Sequence, residues 1–439
     1  MEHQRAGAPR HTRRHFGRIA LGGAVLAAGG AASWQAIAAA DAGGPGPAAD
    51  PDGIGPVTLA TGKDTTGYLQ KVLTDWNTAH PHEPATLVQL PEDADEVHAE
   101  MVDELRSGGS QFDVLNLDVV WTAEFAAQGW IAALDEQQFA LDRFLPPVLA
   151  ASRYTGRLYS VPYVTNAAML YYRSDILTAA GQLPPTTWAE LARQSATLAP
   201  AHRIDGYAGQ LWPYEGLTVN ALEAIRSAGG DLLDPSGRVV VDSPQARTGL
   251  DFLAGGLRDG WIPQAALGYQ EEQSRAAFQS GKLLFLRNWP YVYPEAEDGA
   301  RSAVAGRFGV VALPGPHGPG SEVLGGSCLA VCRYSRNQGS ARALIRYMTS
   351  RQIQSRVLTE GGLPPVWADL YQDPELVARF PYLPVLRRAV LVAGTRPAIP
   401  QYQQLSLAFS ESAYEVLRGR WTAAAGLARL AGDLRQIVG

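Results

Sequence analysis

The sequence predicts an α/β protein of two lobes followed by a helical tail. A chain of 439 residues is longer than one hydrophobic core usually serves, so two lobes are expected. Three strand patterns alternate with three helix patterns between residues 57 and 130. Beyond Ser335 the apolar spacing is mostly helical to the end.

Residues 57–60 (VTLA) are β-prone and stop at Thr61-Gly62. Leu69, Val72, Leu73 and Trp76 then fall at i, i+3, i+4 and i+7, one face of a helix. Thr65 or Thr66 is the candidate cap. Residues 85–90 read as a second strand. Ala94, Val97, Met101 and Leu105 hold a helical period until Gly108-Gly109. Residues 112–117 and 119–130 repeat the strand and helix. This alternation belongs to a parallel sheet with crossover helices, which binds ligands beyond the carboxyl ends of its strands. The loop 61–64, with Lys63 and Asp64, and the loop that begins at Asp118 are therefore candidate ligand positions.

The second half repeats this grammar less cleanly. Residues 158–172, apolar and aromatic, read as two strands with a bend, and Thr187-Trp188-Ala189-Glu190 carries a capping pattern. Further strands are expected at 206–210, 238–242, 283–286, 309–313 and 328–332. Helices are expected at 217–228, ended by Gly229-Gly230, at 250–259 and at 269–280. Cys328 and Cys332 are four strand steps apart, about 13 Å. A disulfide needs Cα atoms within about 7 Å. Two reduced thiols are expected, neither bridged nor bound to metal.

Residues 1–40 read as a twin-arginine export signal. Arg13-Arg14-His15-Phe16 precedes a weakly apolar stretch broken by glycines, and Ala36-Ile37-Ala38 or Ala38-Ala39-Ala40 offers a small-residue cleavage site. Residues 41–56, rich in Gly, Pro, Ala and Asp, are expected to be a disordered lead-in. No cysteine stands nearby for a lipid anchor, so a secreted or extracytoplasmic protein without that anchor is expected. Residues 41–439 hold 32 basic and 42 acidic side chains, a net of −10. Nucleic acid is not an expected partner of so acidic a chain.

Several chemistries lack their motifs. There is no phosphate-binding loop and no G-x-S-x-G elbow. Within residues 41–439 His80-Pro81-His82 is the one close histidine pair, and it reads as a loop capping the preceding helix. No metal and no cofactor is expected. What the sequence does carry is aromatic residues beside charged or amide ones, mostly near strand ends. Asp118 precedes Trp121. Trp212, Tyr214 and Glu215 crowd Pro213. Arg287 and Asn288 lead into Trp289 and Tyr291. Arg396 stands near Tyr402. A pyranose fits such a mixture: flat rings meet its C–H faces, while carboxylates, amides and guanidinium forks satisfy its hydroxyls. Trp76, Trp130 and Trp188 are assigned to the core.

At these residues the chain resembles the extracellular sugar-binding proteins of ABC importers, especially the trehalose- and maltose-binding branch. The stretches are FDVLNLDVVWTAEFAAQGWI (112–131), LYSVPYVTNAAMLYYRSDIL (158–177), GQLWPYEGLTVNALEAIRSAGG (209–230), FLRNWPY (285–291), LGGSCLAV (324–331) and TRPAIPQY (395–402). The resemblance implies the two-lobed periplasmic-binding-protein fold with hinge crossover strands. It puts 57–163 with 309–350 in the first lobe and 164–308 with 351–439 in the second. It implies that Asp118 binds a hydroxyl, Trp289 stacks on the sugar, Arg396 reaches it from the C-terminal helices and Tyr163 lines the cleft from the crossover. Tyr214 and Glu215 match the YEG stretch. Asn166 stands where many relatives carry Asp. A monomer that delivers a disaccharide or short oligosaccharide to ABC permease subunits is expected. Alternatives are a binder of a polyol or other glycoside, a surface adhesin, and a secreted glycosidase. The last would use Asp118 and Glu215, which must then stand about 5 to 10 Å apart.

Overall fold

The computed structural model describes residues 49–64 and 66–439. The expected export signal and Thr65 lie outside the described residues. β1 (Val57–Thr61), β2 (Ala85–Gln89) and β3 (Val114–Asp118) run parallel in the order β2-β1-β3, as the alternation predicts. β4 (Arg153–Tyr154) and β5 (Arg157–Leu158) form a small hairpin. β6 (Ser160–Asn166) and β7 (Met169–Arg173) are the two strands expected within 158–172. Ala167-Ala168 between them carries the chain from one sheet to the other. β8 (Asp205–Ala208), β9 (Leu283–Asn288) and β10 (Phe308–Val311) join β7 in the order β10-β7-β9-β8, with β8 parallel to β9. β11 (Gly325–Val331) returns to the first sheet, antiparallel between β3 and β6.

Each sheet is the centre of one lobe, and the connections 312–324 and 393–401 cross between them. These two crossovers are hydrogen-bonded to each other: Leu324 donates to the Gly394 carbonyl at 2.9 Å and Gly394 to that of Glu322 at 3.0 Å. Gly326 requires its lack of a side chain. Its φ is +116°, and a Cβ there would stand 2.1 Å from the Val164 carbonyl oxygen of β6.

Several sequence expectations are corrected. The strand at 308–311 belongs to the second sheet, because it pairs with β7. All of β6, including 164–166, belongs to the first. The Arg351–Thr359 helix is tied to the first lobe: Gln354 donates to the Tyr163 carbonyl at 3.0 Å and Arg356 pairs with Asp75 at 2.7 Å. The helix expected over 119–130 spans only Thr122–Ala127, because residues 119–121 turn around Asp118. At 238–242 there is a single bridge, Leu233 to Val239, rather than a hairpin strand. The described part of the lead-in is docked: Gly339 donates to the Gly53 carbonyl and Gly55 to the Ser340 hydroxyl, both at 3.0 Å. Other expectations hold. Thr187 and Glu190 form a full capping box on the Trp188–His202 helix. Both cysteines are free and buried. The His80 ring stacks on Trp76, and its backbone closes the Tyr68–Ala79 helix. Among the described residues no helix is long and apolar enough to cross a membrane.

An interlobe cavity as the candidate functional site

A cavity of about 1010 Å³ lies between the lobes. It opens at the carboxyl ends of β1, β3 and β6, opposite the turn after β9 and the starts of the Glu215–Ser227 and Glu271–Gln279 helices. Lys63, Asp64, Asp118, Trp121, Tyr163, Asn166, Tyr214, Glu215, Trp289, Tyr291 and Arg396 all line it. Trp212 does not. Its side chain is 45% exposed and meets Tyr414 edge-on at 6.1 Å. Its backbone N–H is held by the Tyr269 carbonyl, 3.2 Å away.

One guanidinium organises the floor. Arg396 Nη2 donates to Asp118 Oδ1 at 2.8 Å and Nη1 donates to Glu215 Oε1. Asp118 ends β3 in the first lobe and Glu215 begins a helix of the second, so Arg396 ties the two together. Tyr402 donates to Glu215 Oε1 at 2.6 Å and Ser406 donates to Oε2. Burial raises the Glu215 pKa, against the lowering effect of Arg396. Burial works to lower the Arg396 pKa, but Asp118, Tyr402 and Glu215 raise it overall, so its charge is secure.

The walls are aromatic. The Arg287 guanidinium lies 4.3 Å from the centre of the Trp289 ring. The tip of that ring touches Gly325 of the first lobe, where a Cβ would stand only 3.0 Å away. Arg287 and Asn288 themselves are buried and structural. Arg287 forks onto Glu223 at 2.6 and 2.7 Å, and Asn288 Oδ1 accepts the Trp289 N–H at 2.7 Å. Trp121 is almost wholly buried against His98 and Phe125, so only part of it faces the cavity. Tyr163 and Tyr68 pair through their hydroxyls, and burial raises both pKa values. At the rim Lys63 meets Glu92 at 3.6 Å. Asp64 and Thr66 share the cap of the Tyr68–Ala79 helix: the Asp64 carboxylate accepts the Gly67 and Leu69 N–H groups at 3.1 and 3.0 Å, and Thr66 Oγ1 accepts the Tyr68 N–H at 3.3 Å.

Among the lining residues that escaped the sequence reading are Tyr68, Asn116, Glu271 and Glu272. Glu271 accepts the Tyr214 hydroxyl at 2.5 Å and the Trp289 indole N–H at 3.4 Å, and burial raises its pKa. Glu272 accepts the Tyr291 hydroxyl at 2.6 Å. These two glutamates orient three of the predicted aromatic rings. An acidic pair opening a helix is so common a pattern that nothing in it marks a site. Asn116 lies two residues before Asp118, on the same face of β3. Among the described residues no group of three or more His, Cys, Asp or Glu side chains is placed to hold a metal ion.

Two lobes joined by crossovers, with one large polar and aromatic cavity between them, define a ligand-capture protein. The chain belongs to the family of bacterial extracellular solute-binding proteins, whose model matches residues 60–355. It is 35% identical over 364 residues to a probable ABC transporter-binding protein of Deinococcus radiodurans, covering 80% of this chain and 86% of that one. The maltose-bound MalE3 of T. maritima superposes with a TM-score of 0.83 at 31% identity, over 87% of this chain and 99% of that one. The GacH receptor of Streptomyces glaucescens, solved unliganded and with acarbose, gives 0.79 at 26% identity, over 88% and 98%. The function is that of a solute-binding protein serving an ABC transporter.

Proposed function

We propose that the solute is a sugar, a disaccharide or short oligosaccharide, held in the interlobe cavity and passed to the membrane permease subunits of an ABC importer. The observation that carries this reading is the pairing of the Trp289 plate with carboxylates from both lobes around one space. Arg287 covers one face of the indole and leaves the other as a stacking surface. Asp118, Asn116, Asn166 and Glu271 supply acceptors for hydroxyls. A volume of about 1010 Å³ is at the upper end of ordinary ligand pockets, roughly 300–1,000 Å³, and suits more than one pyranose ring. Export of the folded chain through the twin-arginine signal at 1–40 puts a monomer outside the cytoplasmic membrane. Hydrolysis is disfavoured, because Arg396 occupies both Asp118 and Glu215, and Glu215 is further engaged by Tyr402 and Ser406.

The test is calorimetric titration with maltose, trehalose, maltotriose and a polyol. Trp289→Ala is expected to weaken the best ligand by about tenfold or more, with the sugar recovered intact. An unchanged dissociation constant removes Trp289 from the site, and released monosaccharide restores the glycosidase reading.

A further inference from the structure

We propose that Arg226 is a positioning residue for ligand capture: it clamps the backbone just before Arg396, so that the guanidinium on the cavity floor is carried by the second lobe. The proposal rests on the capture role of the cavity. Residues 393–401 hold no helix or strand of their own, so bonds to neighbouring segments must set their course. Thr395 immediately precedes Arg396, and its carbonyl accepts Arg226 Nη2 at 2.8 Å. The same guanidinium forks onto Asp231, Nε to Oδ2 at 3.0 Å and Nη2 to Oδ1 at 3.2 Å. Arg226 Nη1 packs on Gly394, where a Cβ would stand only 2.5 Å away. Gly394 also pairs with the first crossover, through Leu324 and Glu322. The backbone leading into Arg396 is thus fixed by a second-lobe helix and by its companion crossover.

Arg226 lies in the last turn of the Glu215–Ser227 helix, and Glu215 opens that helix. The two stand about 16 Å apart along it. Arg226 holds the Thr395 carbonyl while Glu215 accepts from the Arg396 guanidinium. One helix therefore grips both the backbone before Arg396 and the end of its side chain. Asp118, at the end of β3, is the partner from across the cleft.

A charged donor on a carbonyl is among the stronger hydrogen bonds, and a guanidinium already forked on a carboxylate is preorganised to make it. Arg226 does not line the cavity, whereas Arg396 and Glu215 do. It therefore acts through Arg396, not on the ligand. Without the clamp Arg396 must be ordered at the moment of binding, and that ordering cost comes out of the affinity.

The test is calorimetric titration of the full chain with maltose and maltotriose as probes. Arg226→Met keeps the apolar stem and removes the donors, and its dissociation constant should rise about tenfold. Gly394→Ala reaches the clamp from the crossover, because its new methyl displaces the Arg226 guanidinium. The φ of Gly394 is not in the left-handed region, so alanine adds no backbone strain there. Its dissociation constant should rise about threefold or more, and this variant decides alone if Arg226→Met does not fold. Arg396→Lys has already lost the fork, so in that background Arg226→Met should cost less than about twofold more. A general loss of structure would carry over in full. Amide exchange of the ligand-free proteins needs no sugar: the Leu324 and Gly394 N–H groups should exchange about tenfold faster in Arg226→Met. Parent affinity in either variant, a full Arg226→Met penalty in the Arg396→Lys background, or unchanged exchange each overturn the proposal. If neither probe binds the parent protein, the sugar reading falls, and the exchange comparison still decides the clamp.

Discussion

Arg396 serves two carboxylates at once, and only a forked, permanently charged side chain can do so. Lysine at this position would reach one partner and leave the other buried and uncompensated. Arg396→Lys is therefore expected to cost about 1–3 kcal/mol in urea unfolding, and to weaken ligand binding as well. Wild-type stability would show that solvent, not Arg396, balances Glu215. The residues around this floor were legible in the sequence to very different degrees. Asp118 and Trp289 follow strands, where α/β sheets bind ligands, and the family resemblance marked Arg396. What the sequence could not give was their mutual engagement, since partners 278 residues apart are set by the fold. Trp212 was misread for a related reason. Its segment does border the site, but sequence does not tell which side of a turn faces inward, and this ring turns out to solvent.

Elements with strong periodicity were the readable part of the fold. The helix at 68–79, the capping box at Thr187 and the first three strands stand as the spacing predicted. Their ends and partners were less so, because these depend on tertiary contacts. β10 looked like a return to the first lobe and instead pairs with β7, since a short apolar run carries no label for its neighbour. The following crossover, 312–324, holds a buried acid with a measurable consequence. The Glu322 carboxyl is pushed up to about 8, first by burial and then by the charge of Glu223, while the Leu313 backbone N–H pulls it down. In the unfolded chain it titrates near about 4.3. The native state thus holds the proton more tightly. Stability from this group is full below the unfolded value and is lost as pH rises toward 8, with a limiting slope of about 1.4 kcal/mol per pH unit. Glu322→Gln should flatten the urea midpoint between pH 5 and 8 and raise it at pH 8. Parallel pH profiles for the two proteins would show that Glu322 does not titrate in that range.

At the scale of the molecule, the cavity belongs to neither lobe. Asp118, Tyr163 and Asn166 come from the first sheet, whereas Glu215, Trp289 and Tyr291 come from the second lobe. A ligand in contact with both sets must stabilise the whole mature chain, not one half. At a hundredfold excess over the dissociation constant the gain is about 2.7 kcal/mol for a ligand that binds only the native state. Scanning calorimetry with a saturating sugar should therefore move the entire unfolding endotherm upward as one transition. Removing a contact from either side, by Trp289→Ala or Asp118→Ala, should shrink that shift at fixed sugar concentration. A sugar that raised only part of the endotherm would be bound to a single lobe. A Trp289 variant with the full shift would mean that the second lobe merely closes over a ligand held by the first.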